Sequence, residues 1–499
     1  MNQIYKFNLN QILRLLKVFF GSLIALSAFG HSGVFAQTQF SELTKLSYAL
    51  GNSSDNFSNS MAIDGNTIIV GAKGYDFMPS SNSNNGAAFI YVRQPNGAWT
   101  LQQSLFPGVT STNFNFGNCV GISGDTAIVG SPGEEAAYIY VRSGTTWTQF
   151  QRITIGSQGG FGQQCGISGN SVIISARNEP SGVPNSAGAV YIFALNGATW
   201  TQQARLTAIT GTLGATIGDA VTIEGDTVVL GVQSDESFRG SAQIFVRNGT
   251  TWTAQQRILA SDGFSGDLFG TSAAINGNTL VVGASKVTNP NALNEGAAYV
   301  FTRNGGVWTE QQKLISGDAR PQASFGTSVA VEGDTAVVGA INNNSITGGG
   351  RGYVYQRSGT IWTRTQRLLS ADDHRDTFGF TADISGSNVV IGALADKLGL
   401  NGEQGSAYIF TANPTNCTYS LSPTRSSLFP SGGGTGSFNV TTQAGCVWQA
   451  TVQDRVTWTT TSSAGMGSGT INFSVAGNSG KPRRAEISIN GQQVYYVNQ

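Results

Sequence analysis

Between residues 40 and 412, apolar and polar positions alternate in short runs broken by Gly, Asn, Asp and Ser. A period of two punctuated in this way predicts β-strands joined by turns. The stretch FGTSVAVEGDTAVVGA (325–340) shows the unit. SVAV and TAVVG flank a Glu-Gly-Asp turn and read as a tight hairpin. GYVYQR (352–357) and SGTIWTRTQRLL (358–369) add another strand, turn and strand, so four short strands form a meander. A close copy starts at FGTSAAINGNTLVVGA (269–284) and continues through GAAYVFTR and WTEQQKL. The Trp that opens the fourth strand recurs at Trp99, Trp147, Trp200, Trp252, Trp308 and Trp362, a period of about 53 residues. The turn glycine of the first hairpin recurs at Gly65, Gly124, Gly169, Gly225, Gly277, Gly333 and Gly386.

Seven hairpins against six tryptophans leave the last unit one strand short after GSAYIF (405–410). SELTKLSYAL (41–50) resembles the QQKLISGD and TQRLLSADD endings of later units. Leu43 to Leu50 are therefore expected to pair beside GSAYIF as the outer strand of the last unit. The fold expected is all-β: a seven-bladed β-propeller over 37–412, its last blade closed by the N-terminal strand, followed by a small β-sandwich. Ring closure removes the exposed edges that an open array would present. Only the N-terminus departs from the strand period, so almost no helix is expected.

The connections fall into two classes. Tight Gly turns join strands one and two (Asp64-Gly65-Asn66, Ser123-Gly124-Asp125, Glu224-Gly225-Asp226) and strands three and four (Asn196-Gly197, Asn248-Gly249, Asn304-Gly305, Ser358-Gly359). The loops between strands two and three are long and irregular, as in KGYDFMPSSNSNN, RNEPSGVPNSA and INNNSITGGGR, and the inter-blade loops are likewise polar. Because strands alternate direction, the tight turns share one rim and the long loops share the other. The opening Phe-Gly (Phe116-Gly117, Phe161-Gly162, Phe269-Gly270, Phe325-Gly326, Phe378-Gly379), with GDTAVVGA, GAAYVF and WTEQQKL, resembles the FG-GAP repeats of secreted bacterial proteins, relatives of the integrin α-subunit propeller. Departures are Phe57-Ser58 in the first unit, Ile217-Gly218 in the fourth, and a second unit that has lost most of its long loop between Gly130 and Ala136.

Residues 1–36 read as a secretory signal: Lys6, Arg14 and Lys17 precede the apolar VFFGSLIALSAFG, and Val34-Phe35-Ala36 forms a small-residue cleavage site. The mature chain is expected to be secreted or at the cell surface, with no membrane span and as a monomer. Residues 413–416 read as a linker. Over 417–499 short alternating strands separated by Gly and Ser turns suggest an immunoglobulin-like β-sandwich. SLSPTRSS, SFNVTT, CVWQA, TINFSV and ISINGQQVYYVNQ resemble the BACON-type domain of secreted bacterial proteins, which implies glycan or surface binding.

The net charge is zero, but the leader carries +3 and the C-terminal segment +3, leaving about −6 on the propeller. Neither value suggests nucleic acid. Lys481, Arg483 and Arg484 could meet an acidic surface or form a solvated turn. Cys417 and Cys446 are expected to form a disulfide worth roughly 3 kcal/mol. Cys119 lies five residues before Gly124 and Cys165 four before Gly169. That offset places them on opposite faces of matched strands, so both are expected to be free and buried.

Chemistry is sparse. The mature chain has one histidine, His374, which disfavours triads and multi-His metal sites. Asp372, Asp373, His374 and Asp376 read as a polar inter-blade loop. The first hairpin turns (VEGDT, INGNT, ISGDT) are too short for the calcium loop of integrin relatives, so no calcium site of that type is expected; no cofactor is expected either. GGGTG (432–436) lacks the Lys-Ser/Thr of a phosphate loop, and the Trp series reads as packing. The expectation is an extracellular non-catalytic binding or adhesion protein that presents loops to a protein or glycan. Alternatives are a funnel-based polysaccharide hydrolase or lyase, with only Asp219 and Asp383 as inner-strand carboxylates, or a purely structural surface component. Ligand contacts are expected on the long-loop rim, at Tyr75, Asp76, Phe77, Arg177, Glu179, Asp235, Glu236, Arg239, Arg351, Asp396 and Lys397.

Overall fold

The structure is a computed structural model that describes residues 39–499, apart from 49–53, 77–83, 108–113, 157–158, 181–186, 210–215, 289–293, 319–320, 342–348, 371–376, 398–403, 414–416, 453–458, 461–463, 479, 481 and 490–492. The expected leader, Phe77, Lys481 and the Asp372–Asp376 cluster lie outside the described residues. Thr38–Gln499 form one compact unit.

Among the described residues, seven four-stranded antiparallel sheets occupy the span from Gln39 to Asn413. In the sixth, Phe325–Glu332, Thr335–Ala340, Arg351–Ser358 and Ile361–Leu368 pair in chain order. The second strand, TAVVGA, is buried on both faces from Ala336 onward, which is why its apolar run shows no alternation. The outer strand is half exposed and turns Trp362 and Leu368 inward. Among the described residues, helix is confined to a single turn at Asp235–Phe238 and a 3-10 turn at Pro132–Glu134, which stands where the other units have a long loop. No helix among the described residues is long and apolar enough to cross a membrane.

The Phe-Gly pair joins neighbouring sheets. Phe325 is fully buried and sits edge-on to Tyr353 and Tyr355, with ring centroids 5.3 and 6.2 Å apart. Phe116, Phe161, Phe269 and Phe378 repeat this geometry. Gly326, at φ +88°, aims its carbonyl oxygen at Gly283 of the preceding sheet, 2.0 Å from where a Cβ there would stand. Only glycine allows so close an approach. The first strands touch in chain order, and Phe378–Ser385 of the last sheet touches Phe57–Asp64 of the first. At that junction Asp383 Oδ2 accepts from the Ile63 N–H at 2.9 Å, and Thr381 Oγ1 donates to the Ser58 carbonyl at 3.1 Å. This is a propeller-like architecture.

A glutamine clasp ties the outer strands together. Four residues after the Trp position, Gln103, Gln151, Gln256 and Gln312 each donate to the carbonyl of the next Trp and accept from its N–H. Gln366 accepts from the Phe40 N–H and donates to its carbonyl, so Phe40 stands where the other outer strands have Trp. The N-terminal strand pairs with Ser406–Asn413 as expected, but it runs Gln39–Leu46 rather than 43–50. Its start is set by Phe40. The junction with the first sheet lacks the clasp, because Thr44 takes the glutamine place. Leu43 likewise replaces the Gln that satisfies other indoles, and the buried Trp99 Nε1 has no partner among the described residues. Val447 and Met466 of the C-terminal segment pack there with Leu43, Leu46, Tyr91 and Trp99.

Beyond Cys417 a four-stranded and a five-stranded sheet share one core. Phe438, Ile471 and Phe473 come from one sheet, and Trp448, Ile487, Ile489 and Tyr495 from the other. Cys417 and Cys446 are bonded, with Cα atoms 5.6 Å apart.

Cys119 and Cys165 are also bonded, with Cα atoms 5.7 Å apart, which corrects the expectation of two free thiols. Their offset does place them on opposite faces. In stacked sheets, however, the face a unit turns to its successor meets the opposite face of that successor. The offset that seemed to forbid the bond is the one that permits it.

Candidate functional site

The long-loop rim is underlain by a latch repeated from sheet to sheet. The third strand supplies a Tyr, and the fourth supplies a basic residue five places after the Trp position. A loop, a short helical turn or, for Glu179, the end of the second strand contributes the carboxylate between them. In the second sheet Tyr138 donates to Glu134 at 2.6 Å and Arg152 lies 3.3 Å from it. Tyr191 donates to Glu179 at 2.7 Å, with Arg205 at 3.0 Å. Tyr299 and Lys313 meet Asp262 at 2.7 and 2.8 Å. Tyr408 and Lys45 meet Asp396 at 3.0 and 2.5 Å. The fourth sheet has Gln243 in place of Tyr, and there Ser241 and Arg257 hold the buried Asp235 at 2.5 and 2.8 Å.

The sixth latch is the most charged. Asp318 accepts from Arg351 at 2.5 Å, Arg364 at 2.8 Å, Tyr353 at 3.0 Å and Arg367 at 3.3 Å. Burial opposes its charge, but the hydrogen bonds from Arg364, Tyr353, Arg351 and Arg367 prevail and hold its carboxyl down at about 2. Burial first, and then the bond to Glu134, push the Tyr138 phenol up to about 12. These bonds pin the loop stems to the sheets, although Asp235 and Asp396 each keep one buried carboxylate oxygen without a hydrogen-bond partner among the described residues. Among the described residues the first sheet has no latch; Tyr48, Tyr75, Phe89 and Phe106 form an aromatic cluster in its place.

The residues expected to contact a ligand divide accordingly. Glu179, Asp235, Asp396 and Arg351 belong to latches. Tyr75 is buried in the aromatic cluster, and Asp76 accepts from the Asn84 N–H at 2.7 Å. Arg177 is exposed and pairs with Asp219. Glu236 is exposed and pairs with Arg257 at 2.6 Å, while Arg239 bonds Glu236 and the Ala260 carbonyl. Lys397 is exposed. The structure therefore distributes these residues around the rim and does not gather them into one pocket. Sequence reasoning missed the latch cations Lys45, Arg152, Arg205, Arg257, Lys313 and Arg367, although a basic residue at a constant distance from the Trp position was there to be read.

Of the two inner-strand carboxylates, Asp219 is raised by burial against the opposing pull of Arg177. Asp383 is pushed up to about 6, chiefly by burial, with the Ile63 and Ile384 N–H groups acting the other way. Its folded form holds the proton more tightly than the unfolded chain does. Stability should therefore fall as pH rises from about 4 to about 6 and then level off. Two pK units correspond to about 3 kcal/mol; since the side chain keeps some solvent contact, about 1–2 kcal/mol is expected. Asp383→Asn should remove that part of the slope in urea melts at pH 4 and pH 7. An unchanged slope would show that Asp383 does not titrate in this range.

The repeated four-stranded sheets, their Phe-Gly contacts and the latches define an all-β protein of propeller-like architecture. Residues 40–91, 99–144, 200–245, 252–301, 308–355 and 362–410 match the FG-GAP repeat and together make up more than half of the chain. The chain belongs to the FG-GAP repeat family. No curated protein matches it. Among solved structures, a protein provisionally described as a 6-phosphogluconolactonase, from Bacteroides uniformis ATCC 8492, is 12% identical. The match has a TM-score of 0.41 and covers 62% of this chain and 85% of that one. That similarity is too low to bear on this chain.

Proposed function

We propose that this is an extracellular, non-catalytic binding protein whose seven sheets are the blades of a propeller closed by the N-terminal strand. It carries an immunoglobulin-like, BACON-type module over 417–499. The observation that carries the reading is the latch: acid, Tyr and cation bond one another at the loop stems and hold the frame, while loop length and composition differ between blades. A stiff frame with variable loops suits recognition of a protein or glycan. An enzyme in the central funnel would have to draw on Asp383 and Asp219, which are held by backbone amides and by Arg177. Two disulfides fit an oxidising compartment.

The experiment is a glycan and protein array probed with the secreted mature chain, followed by two sets of variants. Replacing Asp76, Arg177, Glu236 and Lys397 on the long-loop rim should abolish binding to protein and neutral-glycan hits. Replacing the opposite-rim turn residues Asp125, Asp226 and Asp334 should leave it intact. Loss confined to the turn variants would place the site on the other rim.

A further inference from the structure

On the tight-turn rim an arginine recurs at the end of the third strand, at Arg93, Arg142, Arg247, Arg303 and Arg357. Four of these are used identically. Each Nε donates to the turn residue of its own first hairpin: Asp125 at 2.7 Å, Asp226 at 2.7 Å, Asn278 at 3.0 Å and Asp334 at 2.6 Å. Each Nη1 donates to a hydroxyl that opens the second strand of the preceding sheet: Thr67, Ser171, Thr227 and Thr279. Each guanidinium lies about 5 Å over the Trp that follows it.

Arg93 has lost both partners. The turn residue is Asn66, which takes no side-chain bond from it. The preceding-sheet position is Asn388, whose Oδ1 accepts instead from Thr411 at 2.6 Å. The guanidinium turns toward the C-terminal segment and donates to Met466 Sδ at 3.2 Å. A thioether is a weak acceptor. Arg93 is partly buried, which works against its charge, and no carboxylate pairs with it among the described residues. It lines a cleft of about 550 Å³ between the turns of the first sheet and those of the C-terminal segment, with Asn66, Gln94, Asn96, Met466 and Gly467.

A half-buried guanidinium without a counter-ion is completed by an anion, and its planar fork matches a carboxylate. The remaining walls present the amides of Asn66, Gln94 and Asn96, which suit hydroxyl groups, beside apolar surface that includes Pro95, Ala444 and Met466 and suits the C–H face of a sugar ring. We infer that this cleft binds an acidic sugar, with Arg93 anchoring the carboxylate and the amide side chains taking the ring hydroxyls. It lies on the rim opposite the long loops, so it stands or falls separately from the loop reading.

The test is calorimetric titration of the full mature chain with a galacturonic acid trisaccharide. A neutral galactose trisaccharide and a tripeptide with a free C-terminus serve as parallel probes. Saturable binding of the acidic sugar alone is expected, weakened at least tenfold by Arg93→Gln and unchanged by Arg484→Gln on the surface of the C-terminal segment. Asn66→Asp should weaken it equally, because it puts a carboxylate where Asp125 holds Arg142 and leaves the packing of Arg93 in place. Absence of binding to the acidic sugar, equal binding of the neutral one, binding of the tripeptide alone, or full affinity in Asn66→Asp would each overturn the assignment.

Discussion

Deleting residues 39–46 is expected to lower the thermal transition sharply and to expose apolar surface. This strand buries Phe40, Leu43 and Leu46 and pairs along Ser406–Asn413. Full burial of side chains of this kind stabilises by about 1.5–3 kcal/mol each, so the deletion costs roughly 5 kcal/mol or more before the lost strand pairing is counted. It also leaves Ser406–Asn413 as an unpaired edge. The clasp from Gln366 loses its partner as well. A point variant separates packing from pairing: Phe40→Ala keeps the backbone bonds and should cost about 3–4 kcal/mol in urea melts. Phe40→Trp, which restores the residue found in the other six outer strands, should be close to neutral. A deletion variant that melts like the parent would rule out closure through this strand.

Gly283→Ala should cost about 3 kcal/mol or more, one methyl group notwithstanding. The added Cβ would lie 2.0 Å from the Gly326 carbonyl oxygen and 2.4 Å from Ser272 Oγ. The hydroxyl can rotate, but the carbonyl belongs to the backbone of the next sheet and can yield only if two sheets part. Gly333→Ala is the control. It sits at φ +56° in a hairpin turn with open space around its Cβ, so it carries backbone strain alone, about 1 kcal/mol. Equal losses in the two variants, measured by denaturant titration, would mean that the sheet-to-sheet contact contributes nothing beyond local conformation.

The chain by itself determined what repeats at short range. Alternation gave the strands, Gly beside Asp or Asn gave the hairpins, and the recurrence of Trp99 to Trp362 gave the four-stranded unit. The missing last strand and its N-terminal replacement were legible too, because Lys45-Leu46 copies Lys313-Leu314 at the same distance from Phe40 or Trp308. These features depend on spacing within a strand or a unit, and spacing is what a sequence records. Only the tertiary structure decided the rest. The latch carboxylates come from two different connections: Glu134, Glu179, Asp235 and Asp396 precede the third strand, whereas Asp262 and Asp318 precede the first. No fixed spacing announces them, since irregular loops reach one point by different paths. The Cys119–Cys165 bond depended on which faces of consecutive sheets meet, a property of stacking rather than of either strand. Arg93 reads in the sequence like Arg142. Its release from the turn depends on Asn66, on Asn388 far along the chain, and on Met466 beyond the ring, three positions that only folding brings to one guanidinium.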